Sequence, residues 1–147
     1  MGSMSGETRC KVMLRYKELY EKDLKAVMKS ECGSRDFGTA LQFLAVDPLT
    51  AEVDMIRTAC KGVGTNELLL YPIICGRSNK EMELLKKKYF DIHTKDLGQV
   101  MVSELGGNLE AIVVNCMQAS EEAFDPDYHT EDKATEDAEK LYKMGQG

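Results

Sequence analysis

Apolar residues recur along this chain at the three- and four-residue spacing that gathers them on one side of a helix. From Leu109 they fall at Leu109, Ile112, Val113, Cys116 and Met117, with Asn108 placed to cap that helix. Leu97, Val100, Met101 and Leu105 form a second face, with Thr94 as candidate cap. Leu84, Leu85, Tyr89 and Ile92 form a third, opening on the capping-box pattern Ser78-Asn79-Lys80-Glu81. Val53, Ile56 and Cys60 follow Pro48 and Thr50, as in a helix entered from a turn. No segment sustains a period of two, and hairpin signals such as Asn-Gly are missing, so the pattern predicts an all-α fold. Helices are expected near 50–60, 66–76, 79–92, 95–104 and 109–119, with Pro72 bending the second.

The chain also repeats itself. Tyr16-Lys17-Glu18-Leu19-Tyr20-Glu21-Lys22-Asp23-Leu24 parallels Tyr89-Phe90-Asp91-Ile92-His93-Thr94-Lys95-Asp96-Leu97 at an offset of 73 residues. The parallel continues from Val27-Met28 to Val100-Met101, from Ser30-Glu31 to Ser103-Glu104 and from Gly33 to Gly106. Ser5 falls against Ser78. Residues 49–120 therefore read as one whole five-helix unit, and 5–48 as the last three helices of a preceding unit. Residues 121–147 read as a linker and the truncated first helix of a further unit, and 1–4 look like a cloning scar.

Charge narrows the function classes. The net charge of -6 opposes attraction to nucleic acid or anionic lipid through Lys and Arg alone, so no nucleic-acid partner is expected. An anionic surface could be met only through a local patch or a bridging cation. The five cysteines are odd in number, scattered and without a CxxC, which predicts a reduced, disulfide-free protein in the cytoplasm. Apolar runs are too short to span a bilayer.

One loop carries chemistry. Lys61-Gly62-Val63-Gly64-Thr65 lies between two predicted helices. Two glycines flanking one residue let backbone carbonyls turn outward together. Ca²⁺ takes six to eight oxygens from carbonyls, carboxylates and water. A plain glycine-rich helix–helix turn is the competing reading of these five residues, because a lone GxG is a weak signal.

The wider context makes the signal specific. The chain resembles the annexins, whose signature is K-G-x-G-T followed, 38 residues later, by an acidic residue. Residues 66 through 103 number 38, and the next is Glu104. Arg77-Ser78-Asn79, Lys95-Asp96-Leu97 and Ser103-Glu104-Leu105-Gly106-Gly107-Asn108 also resemble annexin repeat text. The resemblance implies five-helix repeats, here truncated, with Ca²⁺ loops on one convex face. It implies Ca²⁺ ligands at the carbonyls of Cys60, Gly62 and Gly64 and at the Glu104 carboxylate. A secondary ion would use Thr65 and Glu67, although Asn66 stands where the family usually has Asp. Glu31 matches Glu104 but has no KGxGT loop upstream in this chain.

Function follows as an expectation: Ca²⁺-dependent binding to an acidic phospholipid membrane surface, peripheral and cytoplasmic, with no enzymatic activity. Lys61 and Val63 would contact the membrane. The alternative is a helical protein-interaction scaffold, for a cytoskeletal or other partner, with a residual Ca²⁺ site. Incomplete repeats leave exposed faces that imply self-association. His93 and His129 are isolated and read as surface or packing residues, as do acidic pairs such as Glu121-Glu122. Met13, Met28, Met101 and Met117 read as core fillers, and Arg77 as a partner for Asp96.

Overall fold

The structure is a computed structural model that describes residues 2–62, 64–120 and 122–145. Those residues form nine α-helices and no strand, which agrees with the all-α reading. The order is α1 (Gly6–Tyr20), α2 (Leu24–Cys32), α3 (Asp36–Leu44), α4 (Pro48–Ala59), α5 (Glu67–Ile74), α6 (Asn79–His93), α7 (Leu97–Glu104), α8 (Gly107–Met117) and α9 (Glu131–Met144).

Local chemistry sets most of the helix starts. Ser5, Asp23, Asp47, Asn66, Ser78, Asp96 and Thr130 each accept a backbone N–H from the first turn of the helix that follows. At Ser78 the Glu81 side chain answers back, completing the capping box that the sequence predicts. Two expected caps are corrected. Thr94 ends α6 in a left-handed conformation, and Asp96, one residue before Leu97, is placed to reach the Gln99 N–H. Asn108 lies inside α8, which begins one residue earlier, after Gly106, without a side-chain cap. α5 ends at Ile74, two residues past Pro72, rather than running on to 76.

The same local devices recur at the 73-residue offset. Ser5 and Ser78 start α1 and α6, Glu21 and Thr94 end them in left-handed conformations, and Asp23 and Asp96 start α2 and α7.

One apolar core joins α4 to α8. Val53, Ile56, Leu70, Ile74, Met82, Leu85, Tyr89, Leu97, Met101, Val113 and Met117 pack into a single cluster. The helical faces need adjustment at three places. Leu84 and Ile92 of α6 and Ile112 of α8 are exposed, while Met82 and Val113 point inward. Adjacent apolar residues sit about 100° apart around a helix, so sequence alone leaves open which of two neighbours faces the core. Met101 and Met117 are buried, and Met13 and Met28 are half-buried.

Arg77 pairs with Glu52 of α4 at 2.8 Å and donates to the Ile73 carbonyl. It is not the partner of Asp96, whose carboxylate is taken by its capping bond.

α2 and α3 pack so closely that no side chain fits between them at one point. A Cβ on Gly38 would lie 2.3 Å from the Gly33 carbonyl oxygen and 2.6 Å from that of Cys32. Gln42 then donates its side-chain amide to the Gly33 carbonyl at 3.1 Å, closing the α2–α3 turn. α9 has no buried residue, and its Lys133–Asp137 and Lys140–Glu136 pairs stabilise it along its own surface.

The turn into α4 rests on Asp47. Burial works to raise its carboxyl pKa, but hydrogen bonds from the Thr50 hydroxyl and N–H, with the Lys88 charge, outweigh it and hold the value below 3.8. A depressed carboxyl stabilises the fold above its unfolded pKa. That contribution is lost as pH falls through the folded pKa.

Two outcomes are expected. Gly38→Ala should force α2 and α3 apart and lower the denaturant midpoint, at a cost of about 1–3 kcal/mol by overpacking. Asp47→Asn should be less stable than the parent at neutral pH, and the gap should close below about pH 4 in acid titrations of stability.

Candidate functional site

The loop between α4 and α5 is shaped by its backbone. Cys60 ends α4 and its N–H returns to the Ile56 carbonyl at 3.1 Å, while Lys61 donates to the Thr58 carbonyl at 3.3 Å. Gly62 and Gly64 have φ of 112° and 83°, a region that residues with a Cβ rarely enter. Nothing lies within 4 Å of a Cβ built on either glycine, so it is the backbone angle and not crowding that demands glycine there. Asn66 closes the loop twice: its N–H reaches back to the Ala59 carbonyl at 2.9 Å, and its side chain caps α5 at the Leu69 N–H. Val63, the expected membrane contact at the tip, lies outside the described residues.

The distal carboxylate arrives from the end of α7. Thr65 donates its hydroxyl to the Glu104 backbone carbonyl at 3.0 Å, and its oxygen lies 3.3 Å from the Glu104 carboxylate. Two segments 39 residues apart in the chain are therefore stitched at the loop's edge. Cys60 belongs to the same neighbourhood. Burial first, and the Glu104 charge second, push its thiol up to about 11, against the opposing charge of Arg57. At neutral pH Cys60 is a neutral thiol.

Tyr89 lies beneath this cluster, fully buried, with no hydrogen-bond partner for its hydroxyl among the described residues. Burial and then the Cys60 thiol raise its pKa, with Glu104 adding to the effect. The Arg57 charge opposes the shift, although its guanidinium does not meet the hydroxyl in hydrogen-bond geometry. The His93 ring lies tilted against Tyr89 with ring centres 4.8 Å apart, and its own pKa is lowered by burial and then by Arg57. Its role is packing, as the sequence suggests.

Glu67 stands exposed on the first turn of α5 and makes no hydrogen bond or ion pair among the described residues. The structure brings Thr65 to Glu104 but gives no contact that joins Glu67 to the loop.

A feature that the sequence reading missed adjoins the loop. Lys25 and Lys29 of α2, Arg57 of α4 and Lys61 of the loop line one open cleft of about 490 Å³ between α2, α3 and α4. Asp54 also lines it, paired with Lys25. These cations come from α2, α4 and the loop after it, so no run of basic residues announces them in a chain of net charge -6.

The donor chemistry fits Ca²⁺. Among the described residues no three His, Cys, Asp or Glu side chains gather as a metal cluster, so a cation at this loop would have to draw on backbone carbonyls beside Glu104. The two positive-φ glycines and the hydrogen-bonded Glu104 are the residues that could hold such a cation.

The annexin family model matches residues 51–116. Annexin A13 of Mus musculus is 37% identical over 149 residues, an alignment that takes in 100% of this chain and 45% of the mouse protein. The chain is similar to the annexins along its whole length.

Solved annexins share the fold as well. The structure of chicken annexin V aligns with a TM-score of 0.80 at 27% identity, over 98% of this chain and 45% of that one. Calcium-bound annexin (Sm)1 aligns with a TM-score of 0.67 at 28% identity, over 82% of this chain and 36% of that one. The chain thus spans less than half the length of the annexins it matches. Annexins bind phospholipid in a Ca²⁺-dependent manner and are generally non-enzymatic. No helix among the described residues is long and apolar enough to cross a membrane.

The unpartnered Tyr89 hydroxyl gives a direct test of the packing under the loop. A buried hydroxyl without a partner carries a desolvation cost that a hydrogen does not. Tyr89→Phe should leave the thermal midpoint unchanged or raise it, whereas Tyr89→Ala should cost about 3–5 kcal/mol, read by chemical denaturation.

Proposed function

We propose that this chain binds acidic phospholipid surfaces in a Ca²⁺-dependent manner through the 60–65 loop and Glu104. The observation that carries the reading is the bond from the Thr65 hydroxyl to Glu104, which ties the glycine loop to the distal carboxylate. In this reading the carbonyls of Cys60, Gly62 and Gly64 and the Glu104 carboxylate hold the ion, and Glu67 is left to solvent. Bound Ca²⁺ supplies positive charge and open coordination positions for lipid phosphate or carboxylate oxygens.

The chain's own residues do the rest. Gly62 and Gly64 let the backbone hold positive φ without strain, so the loop needs little rearrangement to present its oxygens. Thr65 donates its hydroxyl to the Glu104 backbone carbonyl and so keeps the loop's edge beside that residue. Lys25, Lys29, Arg57 and Lys61 give the neighbouring surface a local positive charge that offsets the net charge of -6 when an anionic bilayer approaches. Val63 is read as the apolar side chain that enters the interfacial region.

Residues 49–120 are read as a whole repeat, flanked by three helices of a preceding one and the opening helix of another. The exposed apolar residues Phe37, Leu141 and Tyr142 favour self-association of such a chain, and its net charge disfavours nucleic acid. Peripheral attachment on the cytoplasmic side follows from the same reading.

Calorimetry and vesicle co-sedimentation test it. Glu104→Gln keeps the side chain's shape and removes its charge, and should weaken Ca²⁺ binding about tenfold or more. Val63→Asp should weaken sedimentation with anionic vesicles at limiting Ca²⁺ while leaving Ca²⁺ binding in solution intact. Unchanged Ca²⁺ binding in Glu104→Gln would remove the assigned ligand, and equal sedimentation of the parent in chelator would reject the Ca²⁺ requirement.

A further inference from the structure

The five cysteines are free, but two of them are not alone. Cys75 ends α5 and Cys116 lies in the last turns of α8, and the Cys116 thiol is hydrogen-bonded to the Cys75 sulfur at 3.9 Å. Cys10, Cys32 and Cys60 have no such thiol partner among the described residues. Both members of the pair are half-buried, so neither is sealed in the core. Cys116 also lines an open cleft of about 650 Å³, together with Gly76, Arg77, Ser78 and Asn115. A small thiol reagent therefore has a route to one sulfur, and that sulfur touches the other.

We propose that Cys75 and Cys116 are a reversible redox pair, closed to a disulfide by exchange with a low-molecular-weight disulfide such as oxidised glutathione. The Cys116 thiolate attacks one sulfur of the oxidant, forms a mixed disulfide and releases one glutathione thiolate. The Cys75 sulfur then attacks the Cys116 sulfur, loses its proton to solvent and expels the second glutathione. Two protein thiols are oxidised and one glutathione disulfide is reduced to two thiols. Excess reduced glutathione runs the same steps backwards.

The geometry favours this order. The sulfurs need to close by about 1.9 Å to reach bonding distance, a movement within reach of side-chain rotation at two half-buried positions. Cys116 lines the open cleft and Cys75 does not, so Cys116 is the residue that an incoming disulfide meets first. Cys75 needs only to act within the mixed disulfide, where its partner sulfur is already beside it.

The bridge joins the end of α5 to α8 and encloses α6 and α7, including Glu104 at the end of α7. Closing that span restricts the unfolded chain more than the folded one, so oxidation should stabilise the fold. The inference does not depend on Ca²⁺, and its test contains none.

The full chain is incubated in buffers of graded reduced and oxidised glutathione, its free thiols are blocked with an alkylating reagent, and its peptides are mapped by mass spectrometry. The expected result is a dominant Cys75–Cys116 bridge, three remaining free thiols and a thermal midpoint raised by about 5 °C or more. Excess reduced glutathione should restore five free thiols. Cys75→Ser and Cys116→Ser should each abolish both the bridge and the oxidative rise in midpoint. Mapping of the parent alone decides the matter if either variant folds poorly. The proposal is overturned if all five thiols stay alkylatable, if glutathione caps Cys116 without bridging, or if other cysteines bridge in preference.

Discussion

Burial of α6 against its four neighbours is the interaction on which the rest of the structure depends. Met82, Leu85 and Tyr89 line one side of α6, and Val53 and Ile56, Leu70 and Ile74, Leu97 and Met101, and Val113 and Met117 close around them. This shared core sets α4, α5 and α7 around α6, with Thr65 and Glu104 within reach of one another. The Thr65–Glu104 bond is exposed and weak by itself. It exists because the core has already placed its two ends within reach, so loop geometry is a consequence of packing several residues below it.

The site is assembled from two kinds of constraint. The first is local: two glycines adopt positive φ, and Asn66 closes the loop and caps the next helix at once. The second is tertiary: Glu104, Cys60, Tyr89 and Arg57 are gathered from three helices and influence one another's charge. Cys60 illustrates the result. Its thiol is held neutral by burial and by Glu104, so it adds no charge of its own beside the loop. The lysines and arginine beside the loop extend the same logic outward, creating a cationic surface on an acidic chain.

The helical units share their ends more faithfully than their interiors. Ser5 and Ser78, and Asp23 and Asp96, make the same capping bonds at the same offset. Between those ends the two copies diverge in burial. The α1 helix has no buried residue, whereas α6 has three, because α6 is surrounded by partners and α1 is not. Sequence similarity therefore marks where helices begin and end, and the number of neighbours decides how much apolar surface each one hides.

Much was legible in the sequence because it rests on short-range physics. Helical periodicity, the Ser78–Glu81 capping box, the glycines of the loop and the 73-residue repeat are all properties of residues close in the chain or of simple recurrence. The separation from Thr65 to Glu104 was readable only through resemblance to annexins, since no rule of local structure predicts a contact across 39 residues. The tertiary structure decided what depends on direction and on distant neighbours. It turned Met82 inward and Leu84 outward, gave Arg77 to Glu52 instead of Asp96, and set Asp96 rather than Thr94 at the start of α7. It also placed Cys116 against Cys75 and gathered Lys25, Lys29, Arg57 and Lys61 around one cleft. The physical reason is common to all of these. A sequence states which side chains are available at each turn, but burial, pairing and charge are settled by what the folded chain brings within a few ångströms.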